Sequence, residues 1–374
     1  MKKSFFPPFI FLFLFFFSCQ EKKEWIVESE EGKLKVELVT DGITIPFAMA
    51  FLPNGEMIVS DRPVGNMILV DTNSGGKTII KGVPTVNSDG DGGLLDILPH
   101  PEFEKNHEIF YVYSFKNEDG FSLAVERAKL ESDSLINRKR LFTAQPYFPK
   151  ASFYGSRLAY LYGYLFISTG VDKSKQDSSQ TLSNHLGKII RINEDGSVPS
   201  DNPFSNVPGA LPEIWCYGTR NAQGLTVHPD TRELWEHEHG PKGGDELNIV
   251  SGGKNYGWPI ISFGNEYDDT PIGEGITEAE GMEQPLYYYV PSIAPSGMLF
   301  YTGDKFPKWK GNLFMGSMVL THLNRSVIKD NRVVHEERIL KDQKWRVRNV
   351  IQGPDGFLYI GVDGGMILRI LPSG

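Results

Sequence analysis

One pattern of hydrophobic positions recurs along the chain. In each copy an apolar run ends in a tight turn, often with Pro or Gly, and a second run of strand-forming residues follows. The first copy spans 50–59 and the last spans 350–360. The other copies begin at residues 97, 158, 225 and 298. Two strand-forming runs joined by a short turn predict a β-hairpin, so six hairpins are expected.

The spacing of these hairpins indicates a repeat architecture. The copies recur at irregular intervals of about 45–75 residues, and a four-stranded propeller blade with its loops occupies about 40–50 residues. A single hairpin cannot bury its apolar face, so the copies must pack around a common axis. We therefore predict an all-β fold, a six-bladed β-propeller of four-stranded antiparallel blades over residues 34–374. A large β-sandwich is the alternative, but it does not explain six copies of one turn pattern.

The N-terminal segment differs from the rest of the chain. Two lysines precede the unbroken apolar run 9–17, which is far shorter than the roughly 20 residues of a membrane-spanning helix. This arrangement predicts a signal peptide over residues 1–18. A small residue and Cys19 follow the run, as in a bacterial lipobox, so we expect lipid on Cys19 and a polar tether over 19–33. A plain secretory signal with an incidental cysteine is the alternative. The expected location is the cell envelope, periplasmic or surface, with a lipid as the only membrane anchor.

Composition narrows the classes of function. The chain has 39 Gly and 24 Pro, 12% aromatic and only 23% charged residues, which suits many short strands joined by turns. The formal net charge of -9 gives no sign of the basic face that a nucleic-acid partner requires. Apart from Cys19 there is one cysteine, Cys216, in an apolar run. We therefore expect Cys216 to be a small buried side chain rather than half of a disulfide.

The most distinctive polar segment is 217–259. Its Arg220-Asn221 pair combines a guanidinium with an amide and suits a ligand carboxylate, although a pair that only stabilises its own loop is the alternative. Gly240-Pro241 forms a turn with acidic residues nearby. Carbonyl and carboxylate oxygens are the ligands that calcium prefers, so this turn is a candidate calcium site.

Several motifs resemble the glucose/sorbosone dehydrogenase family, the soluble aldose sugar dehydrogenases that depend on pyrroloquinoline quinone (PQQ). The strongest are RNAQGL, EHGPKGGDELN and GGKNYGWP, all within 217–259. GDGGLLD at 90–96, LGKIIRIN at 186–193 and APSG at 294–297 match further family motifs in the same order. The resemblance covers residues 40–371. It implies a six-bladed propeller that oxidises an aldose with PQQ as the electron sink and calcium as a Lewis acid.

The resemblance also implies roles for individual residues. Contacts with the quinone fall on Arg220, Asn221, Arg346 and Arg348, and the calcium-binding carbonyls fall on Gly240 and Pro241. The alternation Arg-Val-Arg at 346–348 places both guanidinium groups on one face of a strand, as two carboxylates of one ligand require. The expected partner is a small-molecule sugar, and the sequence does not indicate the electron acceptor.

Two positions depart from the family pattern. The general base of the family, a His four residues before Arg157, is replaced by Phe153. A phenyl ring cannot accept a proton, and the loss of a general base typically costs about 10²–10⁴-fold in rate. The cofactor-binding Lys of the family aligns with Val319, which cannot pair with a carboxylate.

Other residues at the predicted site offer partial replacements. Asp91 stands where the family often has Gln, and the family acid beyond the following strand aligns with Val171. We take Arg220, Asp91 and Tyr154 as the candidate catalytic residues, with Asp91 or Tyr154 as the substitute proton acceptor. Two functions stay open. One is a PQQ- and calcium-dependent dehydrogenase that oxidises the anomeric carbon of an aldose. The other is a catalytically degenerate propeller that binds a sugar, an anionic ligand or a protein partner.

Overall fold

The computed structural model describes residues 23–373, which form six antiparallel β-sheets arranged in a ring. The predicted all-β six-bladed propeller is confirmed. The chain starts with β1 (Glu24–Ser29) and β2 (Gly32–Thr40). The first blade contains β3 (Pro46–Phe51), β4 (Met57–Asp61), β5 (Asn66–Val70) and β6 (Lys77–Ile79). The second contains β7 (Leu94–Pro99), β8 (Glu108–Asn117), β9 (Gly120–Glu131) and β10 (Ser134–Thr143).

The remaining blades follow in chain order. The third contains β11 (Gly155–Leu161), β12 (Tyr164–Thr169), β13 (Lys188–Asn193) and β14 (Ile214–Tyr217). The fourth contains β15 (Ala222–Val227), β16 (Leu234–Glu238), β17 (Asp245–Val250) and β18 (Tyr287–Tyr289). The fifth contains β19 (Pro295–Phe300), β20 (Leu313–Ser317), β21 (His322–Lys329) and β22 (Arg332–Ile339). The sixth contains β23 (Val347–Gln352), β24 (Leu358–Val362) and β25 (Met366–Pro372).

Helical structure in residues 23–373 is limited to four short segments. They are α1 (Phe103–Asn106) and three 3₁₀ turns, Gln176–Gln180, Pro307–Trp309 and Lys341–Gln343. Within this range no helix is both long enough and apolar enough to cross a membrane. The predicted signal peptide and Cys19 lie outside the described residues.

The two ends of the described chain meet in the sixth blade. Strands β1 and β2 add to β25, giving the order β1-β2-β25-β24-β23, and Leu34 pairs with Pro372 across the junction. The prediction that the tether continues to residue 33 is therefore wrong, because β1 and the start of β2 occupy residues 24–33. In β1 three consecutive apolar residues, Trp25 to Val27, lie between Glu24 and Glu28. Val27 is buried, and Trp25 packs edge-on against Trp345 with ring centroids 5.0 Å apart.

The six hairpins predicted from the sequence are the first and second strands of the six blades. They are β3–β4, β7–β8, β11–β12, β15–β16, β19–β20 and β23–β24. The first strand of each blade lies innermost and contacts the first strand of the next blade. In all six hairpins the pairing register shifts near the start of the first strand. Such bulges redirect side chains, and here they lie at one end of the central channel.

The core lies between neighbouring blades. Apolar faces of adjacent sheets pack together in several clusters, and large side chains such as Trp235 and Trp309 are fully buried there. Cys216 is buried and free, as its apolar sequence context predicted. This rigid ring holds the loops at the end of the channel in fixed positions.

Candidate functional site

The candidate site is built from two sets of strand ends that meet at one end of the channel. One set lies at or just before the starts of innermost strands: Asp91, Phe153, Tyr154, Arg220, Asn221, Ala294, Arg346 and Arg348. The other set follows the ends of second strands: Arg62, Val171, His239, Gly240, Pro241, Val319 and Asp363. Because the two strands of each hairpin are antiparallel, the start of the first and the end of the second lie at the same end of the blade.

These residues surround two cavities that share a wall. An inner cavity of about 260 Å³ and an outer cavity of about 510 Å³ are both lined by Phe153, His239 and Ala294. Predicted site residues in the inner cavity are Asp91, Tyr154, Asn221, Arg346 and Arg348. Those in the outer cavity are Arg220, Gly240 and Pro241, joined by Val319. The structure therefore brings together every residue that the sequence predicted for the propeller site.

Arg346 and Arg348 converge on one acidic side chain. The Arg346 Nε donates to Asp363 Oδ2 at 3.0 Å, and Arg348 donates from Nε to Oδ1 at 2.8 Å and from a terminal nitrogen to Oδ2 at 2.6 Å. The predicted common direction of the two guanidinium groups is confirmed. Burial alone would raise the pKa of Asp363, but Arg348 and Arg346 outweigh it and hold the pKa below its ordinary value. Asp363, which sequence reasoning missed, thus offsets part of the positive charge expected to face a ligand.

Arg62 is a further cation in the inner cavity that sequence reasoning missed. Its guanidinium carbon lies 5.5 Å from the centroid of the Phe47 ring, and the Arg348 carbon lies 5.8 Å from the same centroid. The Arg62 Nε is buried and has no hydrogen-bond partner within residues 23–373. Burial and the charge of Arg348 lower the pKa of Arg62. The only signal in the sequence was its position directly after β4, where the other hairpins also place site residues.

Arg220 is stacked between two aromatic rings. Its guanidinium carbon lies 4.7 Å from the Phe153 ring centroid and 5.1 Å from that of Trp258. One terminal nitrogen donates to the His239 carbonyl at 2.7 Å, while the buried Nε has no partner within residues 23–373. Its backbone N–H donates to the Glu238 carboxylate. Burial lowers the pKa of Arg220, and the opposing effects of Tyr267, Glu238 and Asp245 offset only part of this shift.

Asn221 acts mainly as a bridge between blades. Its Oδ1 accepts hydrogen bonds from the Gly155 backbone N–H and from the Gln223 side chain, both at 3.1 Å. Its own backbone N–H donates to the Glu238 carboxylate at 3.2 Å. This oxygen is already engaged, so any contact of Asn221 with a ligand falls to its amide nitrogen. The side-chain oxygen and backbone N–H of Asn221 therefore stabilise the protein's own loops, as the alternative for Arg220-Asn221 proposed.

The Gly240-Pro241 turn connects β16 to the loop before β17. The Gly240 N–H donates to Asp245 Oδ1 at 2.9 Å, and Oδ2 of the same carboxylate accepts from Ser292 and from the backbone of 293–294. Asp245 therefore shapes the turn and is not available to a metal. Within residues 23–373 the carbonyls of Gly240 and Pro241 accept no hydrogen bond. Both residues are buried and line the outer cavity.

Two histidines fasten this turn to the fifth blade. His237 Nε2 lies 3.0 Å from the Gly297 carbonyl, and His239 Nε2 lies 2.7 Å from the Pro295 carbonyl. A side chain at Gly224 would collide with His237, since a Cβ built there lies 2.2 Å from Nε2. Within residues 23–373 no group of three His, Cys, Asp or Glu side chains is placed to hold a metal. A cation at the turn would therefore depend on backbone carbonyls.

Phe153 lies in an apolar environment. Its ring packs with the cluster formed by Val171, Trp258 and Ile272, so both the base position and the acid position of the family pattern are hydrocarbon. Two residues later, Gly155 has φ of +61°, and a Cβ there would lie 2.7 Å from the Thr169 carbonyl carbon. The turn that carries Phe153 is thus closely packed against β12, and its side chain is held at the wall between the two cavities.

The two substitute proton acceptors differ in their surroundings. Tyr154 is buried, and its hydroxyl forms no hydrogen bond of good geometry within residues 23–373, although the Ser152 backbone lies close enough to lower its pKa slightly. Burial, with a smaller effect from Asp89 and Asp91, raises the pKa of Tyr154 to about 12. At neutral pH only roughly one phenol in 10⁵ would be ionised, so Tyr154 is a poor base. Asp91 is exposed at the inner cavity and is the better acceptor of the two.

The donors and acceptors at this end of the channel suit a polyanion together with a divalent cation. Arg62 and Arg220 each present a buried nitrogen without a partner, and the carbonyls of Gly240 and Pro241 are similarly unused within residues 23–373. Buried polar groups of this kind are costly unless a ligand satisfies them. The arginine nitrogens suit a carboxylate-rich cofactor, and the carbonyl oxygens suit calcium.

The fold and the site together define a class: six-bladed propellers with grouped arginines at one end of the channel, near a turn with unused carbonyls. Comparison with known proteins narrows the class to a family. The chain belongs to the glucose/sorbosone dehydrogenase family, whose model, described as "Glucose / Sorbosone dehydrogenase", matches residues 43–369. This finding confirms the resemblance seen in the sequence motifs, and it identifies the chain as a member of a family of sugar dehydrogenases.

Relatives with sequence and structural similarity support the assignment. The aldose sugar dehydrogenase YliI of Escherichia coli is 37% identical over 346 residues, 91% of this chain and 93% of that protein. The apo crystal structure of the soluble aldose sugar dehydrogenase (Asd) from Escherichia coli matches with a TM-score of 0.87 and 36% identity, covering 91% of this chain and 100% of that one. The PQQ-bound structure of an aldose sugar dehydrogenase from Streptomyces coelicolor matches with a TM-score of 0.73 and 25% identity, covering 90% of this chain and 98% of that one.

Proposed function

We propose that this protein is a PQQ- and calcium-dependent dehydrogenase that oxidises the anomeric carbon of an aldose. The observation that carries the proposal is the set of unused cationic donors and carbonyl acceptors at the end of the channel. Arg62 in the inner cavity and Arg220 in the outer cavity each leave a buried nitrogen unpaired, and the carbonyls of Gly240 and Pro241 in the outer cavity accept no hydrogen bond within residues 23–373. The relatives support the same chemistry, because they include aldose sugar dehydrogenases, one of them in a PQQ-bound form.

Residues of both cavities would hold the quinone and the calcium. Arg62, Arg346 and Arg348 would hold carboxylates of the quinone in the inner cavity, with Asp363 orienting the latter two. Gly240 and Pro241 would hold calcium through their carbonyls. When bound, the quinone supplies a two-electron acceptor, and calcium makes it more electrophilic. Arg220 lies beside this position and would stabilise negative charge there.

Proton removal from the sugar is the step that the chain supports least. Phe153 cannot accept a proton, and the pKa of about 12 makes Tyr154 a poor acceptor. Asp91 is the remaining candidate, because its carboxylate is exposed at the inner cavity that Phe153 also lines. We therefore expect a slow enzyme in which Asp91 acts as the proton acceptor.

The test is a titration of the purified full chain with PQQ in the presence of calcium. Binding is followed by quinone absorbance, and turnover is followed by reduction of an artificial dye with a panel of aldoses. We expect saturable binding and dye reduction that depends on both quinone and aldose. Absence of quinone binding at any calcium concentration would contradict the proposal.

A second function is favoured by the apolar packing of Phe153 with Val171, Trp258 and Ile272. A hydrocarbon wall at the reacting position suits a propeller that binds its ligand without redox chemistry. The same titration separates the two functions. Quinone binding without dye reduction by any aldose, together with unchanged quinone affinity in Asp91→Asn, would favour the binding protein.

The location of the protein is proposed from its N-terminal sequence alone. We propose that Cys19 is lipidated and that the propeller is held in the cell envelope. Replacing Cys19 with Ser should release the protein from the membrane fraction of cells, because a lipid is the only anchor that the sequence predicts. Unchanged partition of the Cys19→Ser variant would rule out the anchor.

A further inference from the structure

Two positive groups lie against the ring of Phe153. The Lys173 Nζ is 4.3 Å from the ring centroid, and the Arg220 guanidinium carbon is 4.7 Å from it. Neither side chain forms an ion pair with an acid within residues 23–373. The position where the family pattern has a histidine and an acid therefore carries two positive groups, and the charge of Arg220 is only partly offset by Tyr267 and Glu238. Such charge is stabilised when an anion is bound beside it.

The placement of Lys173 is fixed by its backbone. The Lys173 N–H donates to Ser152 Oγ at 3.1 Å, and that hydroxyl donates to the Val171 carbonyl at 2.9 Å. The loop after β12 is thus fastened to the segment that carries Phe153. The neighbouring acid, Asp172, accepts hydrogen bonds from the backbone and hydroxyl of Ser174 and is occupied by its own turn. Lys173 itself is exposed, so its ammonium group is available to a ligand.

Lys173 contacts the ring of Phe153 at the wall between the two cavities, without lining either cavity itself. The ring on which it lies separates the two cavities, and the inner arginines are already grouped around Asp363. The outer cavity also offers apolar surface at its rim, where Tyr267 is 72% and Val290 is 63% exposed. A sugar ring lying on this surface would bring a charged substituent within reach of Lys173.

We propose that the outer cavity binds an aldose that carries a carboxylate, that is, a uronic acid, and that Lys173 pairs with this carboxylate. The inference rests on the proposed function, because it names the class of sugar that the dehydrogenase accepts. It assigns Lys173 to substrate recognition. A site that bound only sugar hydroxyl groups would not need this charge.

Calorimetric titration of the calcium-loaded full chain without quinone tests the inference. The ligands are D-glucuronate, its neutral isostere D-glucuronamide, and D-glucose. We expect glucuronate to bind roughly three- to tenfold more tightly than either neutral sugar, as a single partly exposed ion pair allows. The preference should weaken as salt is added. Lys173→Met should abolish it, whereas Lys175→Met, a change at an exposed lysine of the same loop, should preserve it.

Two results would overturn the inference. One is equal affinity for glucuronate and glucuronamide. The other is a preference that survives in Lys173→Met, which would place the carboxylate elsewhere, on the calcium or on the arginines of the empty quinone site. If that variant also loses PQQ affinity, the lysine serves the cofactor instead. Because no quinone is present in the sugar titrations, failure here leaves the quinone test of the proposed function unaffected, and failure of the quinone test leaves this one unaffected.

Discussion

The inner cavity and the Phe153 side of the outer cavity are neighbours, yet they relate differently to the family pattern. The inner cavity is lined by Arg346 and Arg348, as the family pattern predicts, and by Arg62. On the other side, Phe153 stands at the position of the family's general base and Val319 at that of its cofactor-binding lysine. The chain therefore keeps the arginines expected to face an anionic cofactor and lacks the family's base and lysine.

This difference follows from the architecture of the ring. The side chains at the site come from all six blades, and the retained arginines and the altered base position lie on different blades. Arg348 is positioned by Asp363 within the sixth blade, whereas Phe153 is positioned by the third. One half can therefore lose its chemistry while the geometry of the other half persists.

The largest expected effect comes from restoring the reacting half. Phe153→His combined with Val319→Lys should raise dye reduction by about 10²–10⁴-fold, because it supplies a general base. We expect the lower end of this range, since Val171 offers no acceptor to orient the new imidazole. The added lysine should also tighten PQQ binding, because it pairs with a carboxylate. Steady-state rates and quinone titrations of both single variants and the double variant measure the two effects.

Phe153→Leu is the matched control for this restoration, since it removes the ring without supplying a base. It should leave the rate near that of the parent chain. If the double variant binds PQQ but reduces no dye with neutral or acidic aldoses, the reacting half differs from the family at more than these two positions.

The second prediction concerns the inner cavity, where Arg346 and Arg348 are retained. Arg348 is buried and makes two hydrogen bonds to Asp363, whereas the side chain of Arg346 is 49% exposed. Breaking a buried ion pair by removing one partner is strongly destabilising, so Arg348→Met should lower the free energy of unfolding by about 3 kcal/mol. Arg346→Met should cost less than about 1 kcal/mol. Urea denaturation compares the two, and equal losses would contradict the distinction.

The stability that the Arg348–Asp363 ion pair gives depends on pH. The pKa of Asp363 is below its ordinary value of 3.8 in the folded state, so the folded state binds fewer protons than the unfolded state. The stability that this gives is present above pH 3.8 and is lost as the pH falls through the folded pKa. In Arg348→Met the acid-side loss should be smaller than in the parent chain.

The fold was predictable because the hairpin signal is local and occurs in every blade. Strand β1 was not predictable, because EWIVES is short and half of its residues are polar, and it becomes a strand by pairing with β2. The site was predictable where a motif named the residue, as for Arg220 and Gly240. Asp363 and Arg62 were missed because each lies at the end of a second strand with no distinctive neighbours. Only the ring geometry brings them to the arginines and to Phe47.

The third prediction concerns the Gly240-Pro241 turn, the candidate calcium site. A ligand that binds only the folded state stabilises it by about 2.7 kcal/mol at a hundredfold excess over its dissociation constant. Chelation should therefore lower the melting temperature, and added calcium should restore it through the carbonyls of Gly240 and Pro241. Magnesium should restore less, because it requires near-octahedral geometry and gives up water reluctantly. A melting temperature that is constant over a wide calcium range would remove the turn as a metal site.

The smallest expected effect concerns Tyr154, at the border between the two halves. Its buried hydroxyl forms no hydrogen bond of good geometry within residues 23–373, whereas the buried Tyr111 hydroxyl donates to the Glu126 carboxylate at 2.6 Å. An unsatisfied buried hydroxyl destabilises the fold, so Tyr154→Phe should raise the free energy of unfolding by about 1 kcal/mol. Tyr111→Phe should lower it by about 1.5 kcal/mol, because a hydrogen bond to a charged group is lost. Denaturation of the two variants side by side measures this opposition of sign. A loss of stability in both would mean that Tyr154 has a partner in solution, and a hydroxyl with such a partner would again be a candidate for the proton acceptor that Phe153 cannot be.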